Sequence, residues 1–419
     1  MRLETLTEQE VVVTLIALML LLGSAYMIGT LFEKLKAPRV VGEILGGMIW
    51  GGSCLYIFAP KVVNKIFLAY EQEGQVLNIF YQLGLIFLMF LSGYNTTLEV
   101  DKSNRQTITF IFVGATVIPM LLAMPIAHVF EAYFIGDLEN EVSYTMVFVI
   151  GVAITSIPVI SKIFFDMGIM NTKFANMVLT VSTFQDLCLW ILLNTAIRIA
   201  TIGVLKLQDM LFVVIFTLGL FFLVNIIANR ISVLKIKTKT IDFYTINFVI
   251  LLFVCAVLNM VGINIMYAAF LVGYVIKAII GTDKQTCQRM TAVGDFAFSF
   301  FIPIYFALVG IQLNILHDFS FRRFMLFFVI AFGLEAIGTI VMLTFTKLNK
   351  TTIINFAVTM NARGGPGIVL ATVAYSYRII SVEFFTVLIL TTMLSSLIAG
   401  YWLRNQQRRN NNIFMNLYR

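Results

Sequence analysis

Residues 147–193 read VFVIGVAITSIPVISKIFFDMGIMNTKFANMVLTVSTFQDLCLWILL. Two features of this stretch decide the fold. The first apolar run is interrupted by Thr155, Ser156 and Pro158, and the second carries a carboxylate, Asp186, near its centre. A run of about twenty apolar residues spans a bilayer as a helix. Inside lipid every backbone N–H and C=O must be satisfied, so an interruption at mid-depth survives only where it is buried in protein or lines a wet cavity. Pro158 removes one N–H and, in a continuous helix, would clash with the carbonyl of Ile154. The hydroxyls of Thr155 and Ser156 can satisfy part of the backbone so freed. A carboxylate at the bilayer centre costs about 2.5–3.5 kcal/mol even on the insertion scale. No Lys or Arg lies within two turns of Asp186 to neutralise it. That cost makes sense where the group holds a proton part of the time and a cation the rest. Ser182, four residues earlier on the same helix face, can add an oxygen ligand. Gln185 can hydrogen-bond beside it without adding charge.

The rest of the chain agrees with a membrane setting. Of 419 residues, 60% are hydrophobic and only 12% are charged, and the mean hydropathy is +0.93. Soluble domains are nearer half apolar and a quarter charged, so lipid must solvate much of this surface. The sequence predicts an all-α polytopic membrane protein of about thirteen spans, at 10–31, 40–58, 76–95, 106–129, 142–165, 173–200, 208–229, 241–261, 264–281, 291–314, 321–346, 351–377 and 381–404. The split between the eighth and ninth spans falls around Gly262 and Asn264. With the N-terminus outside, most of the 29 Lys and Arg fall in cytoplasmic connections, which places the C-terminus inside. The net charge of +7 is thereby explained without nucleic acid. MRLETLTEQE at the N-terminus is mixed in charge, and the apolar run after it lacks a small-residue cleavage site, so the first span is expected to stay in the protein. Cys54, Cys188, Cys255 and Cys287 form no CxxC pair, and His128 and His317 are far apart, so neither a disulfide framework nor a metal cluster is expected. Nor is an organic cofactor expected. The 39 Phe and 20 Met read as lipid-facing and packing residues.

Thirteen spans divide as six, one and six. With the seventh as a linker, the halves enter the membrane from opposite sides, the inverted repeat of many secondary transporters. FLMFLSGYNTTL at 87–98 and YFALVGIQLNIL at 305–316 end the third span of each half alike. The fifth span of each half is interrupted, by TSIP at 155–158 and by RGGPG at 363–367. Matching interruptions are the best sequence pointer to a transport site. If the two breaks cross, Gly364, Gly365 and Pro366 face Thr155–Pro158 at the midplane, and four helix ends need compensating charge. RGGPG lacks the GxxxxGK[ST] pattern of a phosphate loop and lies in an apolar span. Glu335, within VIAFGLEAIGTIVML at 329–343, is the second deep carboxylate. It can pair with Arg363, hydrogen-bond Gln185, or act as a second proton site. Glu43 follows Arg39 by four residues and reads as an i,i+4 pair.

PRVVGEILGGMIWG at 38–51, LGLIFLMFLSGYNTTL at 83–98, TSIPVISKIFFDMGIMNTKFANMVLTVSTFQDLCLWILL at 155–193 and NARGGPGIVLATVAYSYRII at 361–380 resemble the monovalent cation:proton antiporter-2 branch of the sodium/proton exchanger superfamily. The resemblance implies scaffold and homodimer helices at 1–105 and 241–316, core helices at 106–200 and 317–404, a linker at 201–240 and a short cytoplasmic tail at 405–419. It implies an elevator-like movement of the core. Asp186 matches the family's ion-binding aspartate, and Thr155 and Ser156 match the unwound segment beside it. Where many sodium exchangers have two adjacent aspartates, Gln185 precedes Asp186, as in the potassium efflux branch. Glu335 stands where the family often has Lys or Arg.

The expected activity is therefore exchange of K⁺ or Na⁺ for protons across a plasma membrane, here a bacterial inner membrane, with one carboxylate exchanging one for one. Asp186 would be the monovalent metal-ion ligand, supported by Gln185, Thr155, Ser156 and Ser182. The protein would be a transporter rather than an enzyme. The same breaks and carboxylate could line a cation channel, which would pass current without counter-transport. A Na⁺-coupled organic anion carrier could share the inverted-repeat plan, but Arg363 is the one basic residue at the midplane to receive an anion.

Overall fold

The computed structural model describes residues 5–96, 104–203, 215–216, 219, 240–280, 284–317, 319–410, 413–415 and 417. Among these residues the chain is all helical, apart from one isolated bridge between Ile135 and Ile380. Nine helices among the described residues are long and apolar enough to cross a membrane, and a shorter apolar helix spans Ile265–Ala278. Most of the predicted seventh span, and of the 201–240 linker, lies outside the described residues.

The helices are α1 (Glu8–Lys34), α2 (Arg39–Met48), α3 (Leu55–Phe58), α4 (Pro60–Phe67), α5 (Glu73–Asn95), α6 (Arg105–Phe112), α7 (Ile118–Phe134), α8 (Glu141–Val152), α9 (Ile157–Asp166), α10 (Lys173–Ile202), α11 (Thr240–Met260), α12 (Ile265–Ile280), α13 (Lys284–Ser299), α14 (Phe301–Gln312), α15 (Phe321–Leu343), α16 (Lys350–Met360), α17 (Gly365–Ser376) and α18 (Val382–Arg409). A π-turn at Val113–Val117 joins α6 to α7. The starts follow from polar caps. The side chains of Asn140, Thr172, Ser320, Asn349 and Ser381 accept from the backbone N–H three residues on and open α8, α10, α15, α16 and α18. Thr7 and Glu10 form a reciprocal capping box on α1.

The predicted second span, 40–58, is not one helix. It stops at Met48 and turns through Trp50, Gly51 and Cys54 before the short α3, because a glycine-rich end has little to gain from staying helical. The eighth and ninth spans part at Gly262, whose φ of +86° is left-handed and suits glycine.

The chain forms two compact units. The first comprises Met1–Tyr94, Ile226–Val257 and Ala268–Asp318; the second comprises Asn95–Asn225, Leu258–Tyr267 and Phe319–Arg419. Within the first, close helix crossings come in two matching pairs. A Cβ on Gly47 would strike the Ala307 carbonyl, and one on Gly310 the Ile44 carbonyl, so α2 and α14 touch backbone to backbone. Gly93 meets the Phe270 carbonyl and Gly273 the Phe90 carbonyl, which locks α5 to α12 in the same way. Small residues permit such approaches in membrane helices. Exchanging the second span for the ninth and the third for the tenth interchanges the two locks, as two inverted repeats require.

In the second unit Gly114 and Gly338 each abut the other's carbonyl, joining the π-turn to α15. One end of this unit is filled by Phe134, Phe148, Phe327 and Phe384, with the Phe134 and Phe384 rings stacked at 4.6 Å. At the other end Phe174, Phe356 and Phe414 pack together. Leu417 is buried there and its carbonyl accepts from Asn349 N at 3.0 Å.

Candidate functional site

Both predicted breaks are present and they cross. The first span opens at 153–156 between α8 and α9, and the second at 361–364 between α16 and α17. Each break satisfies the other's backbone. Ser156 N donates to Ala362 O at 2.8 Å. Thr155 Oγ1 lies 2.5 Å from Met360 O, the last carbonyl of α16. Arg363 Nη2 donates to Val152 O, the last carbonyl of α8, at 2.7 Å. A cation at a helix C-terminus complements the dipole there. Gln185 Nε2 donates to Ala153 O and, at 3.4 Å, to Ala115 O in the π-turn. Ser396 Oγ of α18 donates to the Arg363 carbonyl. Val152 O, Ala153 O, Met360 O, Ala362 O, Arg363 O and Ser156 N, backbone groups of the kind a break orphans in lipid, thus find named partners.

The prolines play a different part from the one expected. Pro158 and Pro366 lie at the second positions of α9 and α17, where the missing N–H has no intrahelical partner to lose. They begin the second half-helices rather than force the breaks. Gly364 is needed for space, since a Cβ there would strike Ser156 Oγ and Val159 Cγ2 across the crossing. Gly365 opens α17 and is buried.

Glu335 is fully buried and paired. Its Oε2 accepts from Arg363 Nη2 at 3.2 Å, its Oε1 lies 3.2 Å from Thr155 Oγ1, and Gln185 sits beside it. The ion pair joins α15 to both breaks, so of the three readings of Glu335 the geometry supplies the partner. Arg363, at 1% exposed, gives its Nη2 to Glu335 and Val152, while its Nε and Nη1 have no partner among the described residues.

Asp186 is treated otherwise. It is 1% exposed, and among the described residues neither carboxylate oxygen has a hydrogen-bond partner. Ser182 Oγ, one turn earlier, is also buried without a partner. Asp186 lines a small cavity with Ile154 of the first break, Pro366 of the second, and Leu189, Trp190 and Leu370. The positive end of the α17 dipole therefore lies on the same cavity as the carboxylate. Asp186 and Ser182 lie one turn apart on α10. Thr155 Oγ1 and Gln185 Nε2 hold the breaks and Ser156 Oγ caps α9 by accepting from Val159 N, while Gln185 Oε1 has no partner among the described residues. Among the described residues no cluster of three or more His, Cys, Asp or Glu is placed to hold a metal ion.

Ser396 and the π-turn carry only weak signals in the sequence. The signal for Ser396 was TTMLSS at 391–396, small polar residues in an apolar span. For the π-turn, only the nearby Pro119 and Pro125 hinted at irregularity.

Crossed, interrupted spans around a buried carboxylate define a secondary transporter of the inverted-repeat type. Residues 17–405 match the family described as sodium/hydrogen exchanger, transmembrane, and the chain belongs to it. That is a transporter family, not an enzyme family. Among curated proteins, the Na⁺/H⁺ antiporter NhaS4 of Synechocystis sp. is 24% identical over 307 residues, covering 71% of this chain and 73% of that protein. The cation/H⁺ antiporter 15 of Arabidopsis thaliana is 22% identical over 87% of this chain, and the K⁺/H⁺ antiporter 1 of Saccharomyces cerevisiae is 24% identical over 68%. The matches span 44% and 33% of those two longer proteins. The solved structure of the sodium proton antiporter MjNhaP1 from Methanocaldococcus jannaschii shares the fold, with a TM-score of 0.64, 16% identity, and coverage of 95% of this chain and 97% of that one.

Proposed function

We propose that the protein exchanges a monovalent cation, K⁺ or Na⁺, for protons, with Asp186 as the one carboxylate that both compete for. The carrying observation is the contrast in partners: both Asp186 oxygens are buried without a protein partner among the described residues, while Glu335 is neutralised by Arg363. An unpaired carboxylate at this depth is costly, and a proton or a dehydrated cation relieves the cost equally. Ser182 Oγ supplies a further oxygen to the cation. Thr155, Ser156 and Gln185 act by holding the breaks, and Glu335 with Arg363 by fixing their crossing. One titrating carboxylate exchanges one charge for one charge, so transport is electroneutral.

In this reading the second unit is the moving core and the first the scaffold. The close glycine contacts of the first unit support a rigid body, and the self-contained site of the second supports a carrier. An elevator-like movement by a homodimer follows the family resemblance. The Lys and Arg distribution supports an outer N-terminus and a cytoplasmic C-terminus; a bacterial inner membrane belongs to the same proposal.

The test uses proteoliposomes holding a pH-sensitive dye and a preset proton gradient, to which KCl, NaCl or LiCl is added. The protein dissipates the gradient with at least one cation, and at a rate independent of an imposed membrane potential. Current at fixed pH would favour the channel, and dissipation that persists unchanged in Asp186→Asn would overturn the proposal.

A further inference from the structure

Asn264 lies in the short turn between α11 and α12 and is buried. Its side-chain amide does two things at once. The oxygen Oδ1 accepts from Met266 N at 2.9 Å, which fixes the first turn of α12. The nitrogen Nδ2 lies 3.4 Å from the hydroxyl of Tyr377, the residue that caps α17. The backbone N of Asn264 donates to Asn194 Oδ1 of α10 at 2.7 Å, and Asn194 is only 1% exposed. Arg198, one turn further along α10, reaches Val261 O from its Nη1 at 3.4 Å. Ile263, between these contacts, is fully buried. One turn is thus held by α10 and α17, the helices that bring Asp186 and Pro366 to the cavity.

All of these contacts fall inside the second unit, because Leu258–Tyr267 belongs to it. The helices that carry the turn do not. α11 up to Val257 and α12 from Ala268 onward belong to the first unit. There α12 is locked to α5 by the close contacts of Gly93 with Phe270 and of Gly273 with Phe90. Both boundaries fall within helix, since α11 continues to Met260 and α12 begins at Ile265. Sharp bends in helices arise at Pro, at Gly and Ser pairs or at π-turns. VCAVLNM at 254–260 and IMYAAFL at 265–271 are α-helical throughout and contain no Pro, Gly or Ser. Neither helix therefore offers a hinge through which the turn could follow the second unit while its stems stay with the first.

We infer that the Asn264 turn is a latch, which grips α10 and α17 in the conformation described and lets go of them in each transport cycle. The inference rests on the proposed reading that the second unit moves against the first. The contacts suit release. They are neutral hydrogen bonds and one bond from a guanidinium, at helix ends, and water replaces such partners at modest net cost once the groups separate.

The test joins the turn to α17 covalently. Asn264→Cys and Tyr377→Cys are introduced together, and the protein is reconstituted in proteoliposomes and treated with a short bis-methanethiosulfonate reagent. A peptide mass linking positions 264 and 377 reports the bridge. Before bridging, the pair exchanges cation for protons in the dye assay. Bridging stops exchange in proportion to the fraction of protein linked, and reductant restores it. Exchange that continues at the unbridged rate in fully linked protein would overturn the latch, because the turn then stays on α17 throughout. Failure of the bridge to form would overturn it as well, since the contact is then absent. So would a monodisperse pair that does not exchange before bridging, because the contact is then needed at every stage. The single variants Asn264→Cys and Tyr377→Cys keep the four native cysteines; a block as strong in either of them also counts against the latch, since no bridge is then involved. The transport reading fails separately. Asp186→Asn that keeps proton exchange removes that reading, whereas Asp186→Asn that loses exchange beside a linked pair that keeps it removes only the latch.

Discussion

Asp186 and Glu335 are carboxylates of similar burial, 1% and 0% exposed, each near the middle of an apolar helix. Glu335 meets Arg363 and Thr155, and through them ties α15 to both breaks. Asp186 meets a cavity. On the proposed reading, depth and residue type do not mark the exchanging carboxylate; the absence of a protein partner among the described residues does. The same contrast runs through the two repeats. In the first, α10 brings Gln185 to a break carbonyl and Asp186 to the cavity. In the second, α18 brings Ser396 to the equivalent break and only neutral Thr391, Thr392 and Ser395 beside it. The scaffolding is near-symmetric and the charge is not, which supports the proposal of one exchanging carboxylate rather than two.

The largest effect expected from this contrast is on transport. Asp186→Asn leaves no group in the cavity that can give up a proton, so dye-reported exchange falls to that of protein-free liposomes. Stability in detergent does not fall, because the change removes an unpaired buried charge and strands no partner. A variant that lost both transport and its folded elution profile would mean Asp186 is structural after all.

Glu335 behaves in the opposite manner. Glu335→Gln leaves Arg363 as a buried, uncompensated cation, and breaking such a pair costs about 3–5 kcal/mol. Arg363→Gln strands Glu335 with the same result. Replacing both together recovers most of the loss, because no charge is then left unpaired. Thermal unfolding of the single and double variants in detergent reads this directly. Losses that simply add would show that the two residues are not coupled.

What the sequence made legible follows the same division. Most of the spans among the described residues, the two breaks and the depth of Asp186 were readable because hydrophobicity, Pro, Gly and a lone acid are local signals. The pairing of Glu335 was not, since its partner lies 28 residues away and approaches only when the breaks cross. The roles of Thr155 and Gln185 were read as ligands, yet both face carbonyls supplied by other helices. The end of the second span at Met48 was missed because an apolar run containing Gly46, Gly47 and Gly51 looks continuous to a hydropathy window.

A smaller effect concerns the crossing itself. Gly364→Ala places a methyl group against Ser156 Oγ and Val159, and overpacking of this kind costs about 1–3 kcal/mol. Because the crossing positions both Asp186 and the Glu335–Arg363 pair, exchange should slow along with the fall in melting temperature. An unchanged melting temperature would mean that the two breaks do not pack as closely as the structure has them.

The smallest effect is at Pro158, and it distinguishes two explanations of the breaks. If proline forced the first span apart, Pro158→Ala would let 147–165 close into one helix and destroy the site. In the structure the opening is held by Arg363 on Val152 O, Gln185 on Ala153 O, and Ala362 O on Ser156 N. Ser156, not Pro158, caps α9. Alanine suits the first turn of a helix as well as proline does, apart from the proline's lower unfolded-state entropy, so Pro158→Ala costs within about 1 kcal/mol. Cation/proton exchange persists at close to the wild-type rate. Loss of exchange in a stably folded Pro158→Ala protein would return the break to proline and leave the cross-bracing as its consequence.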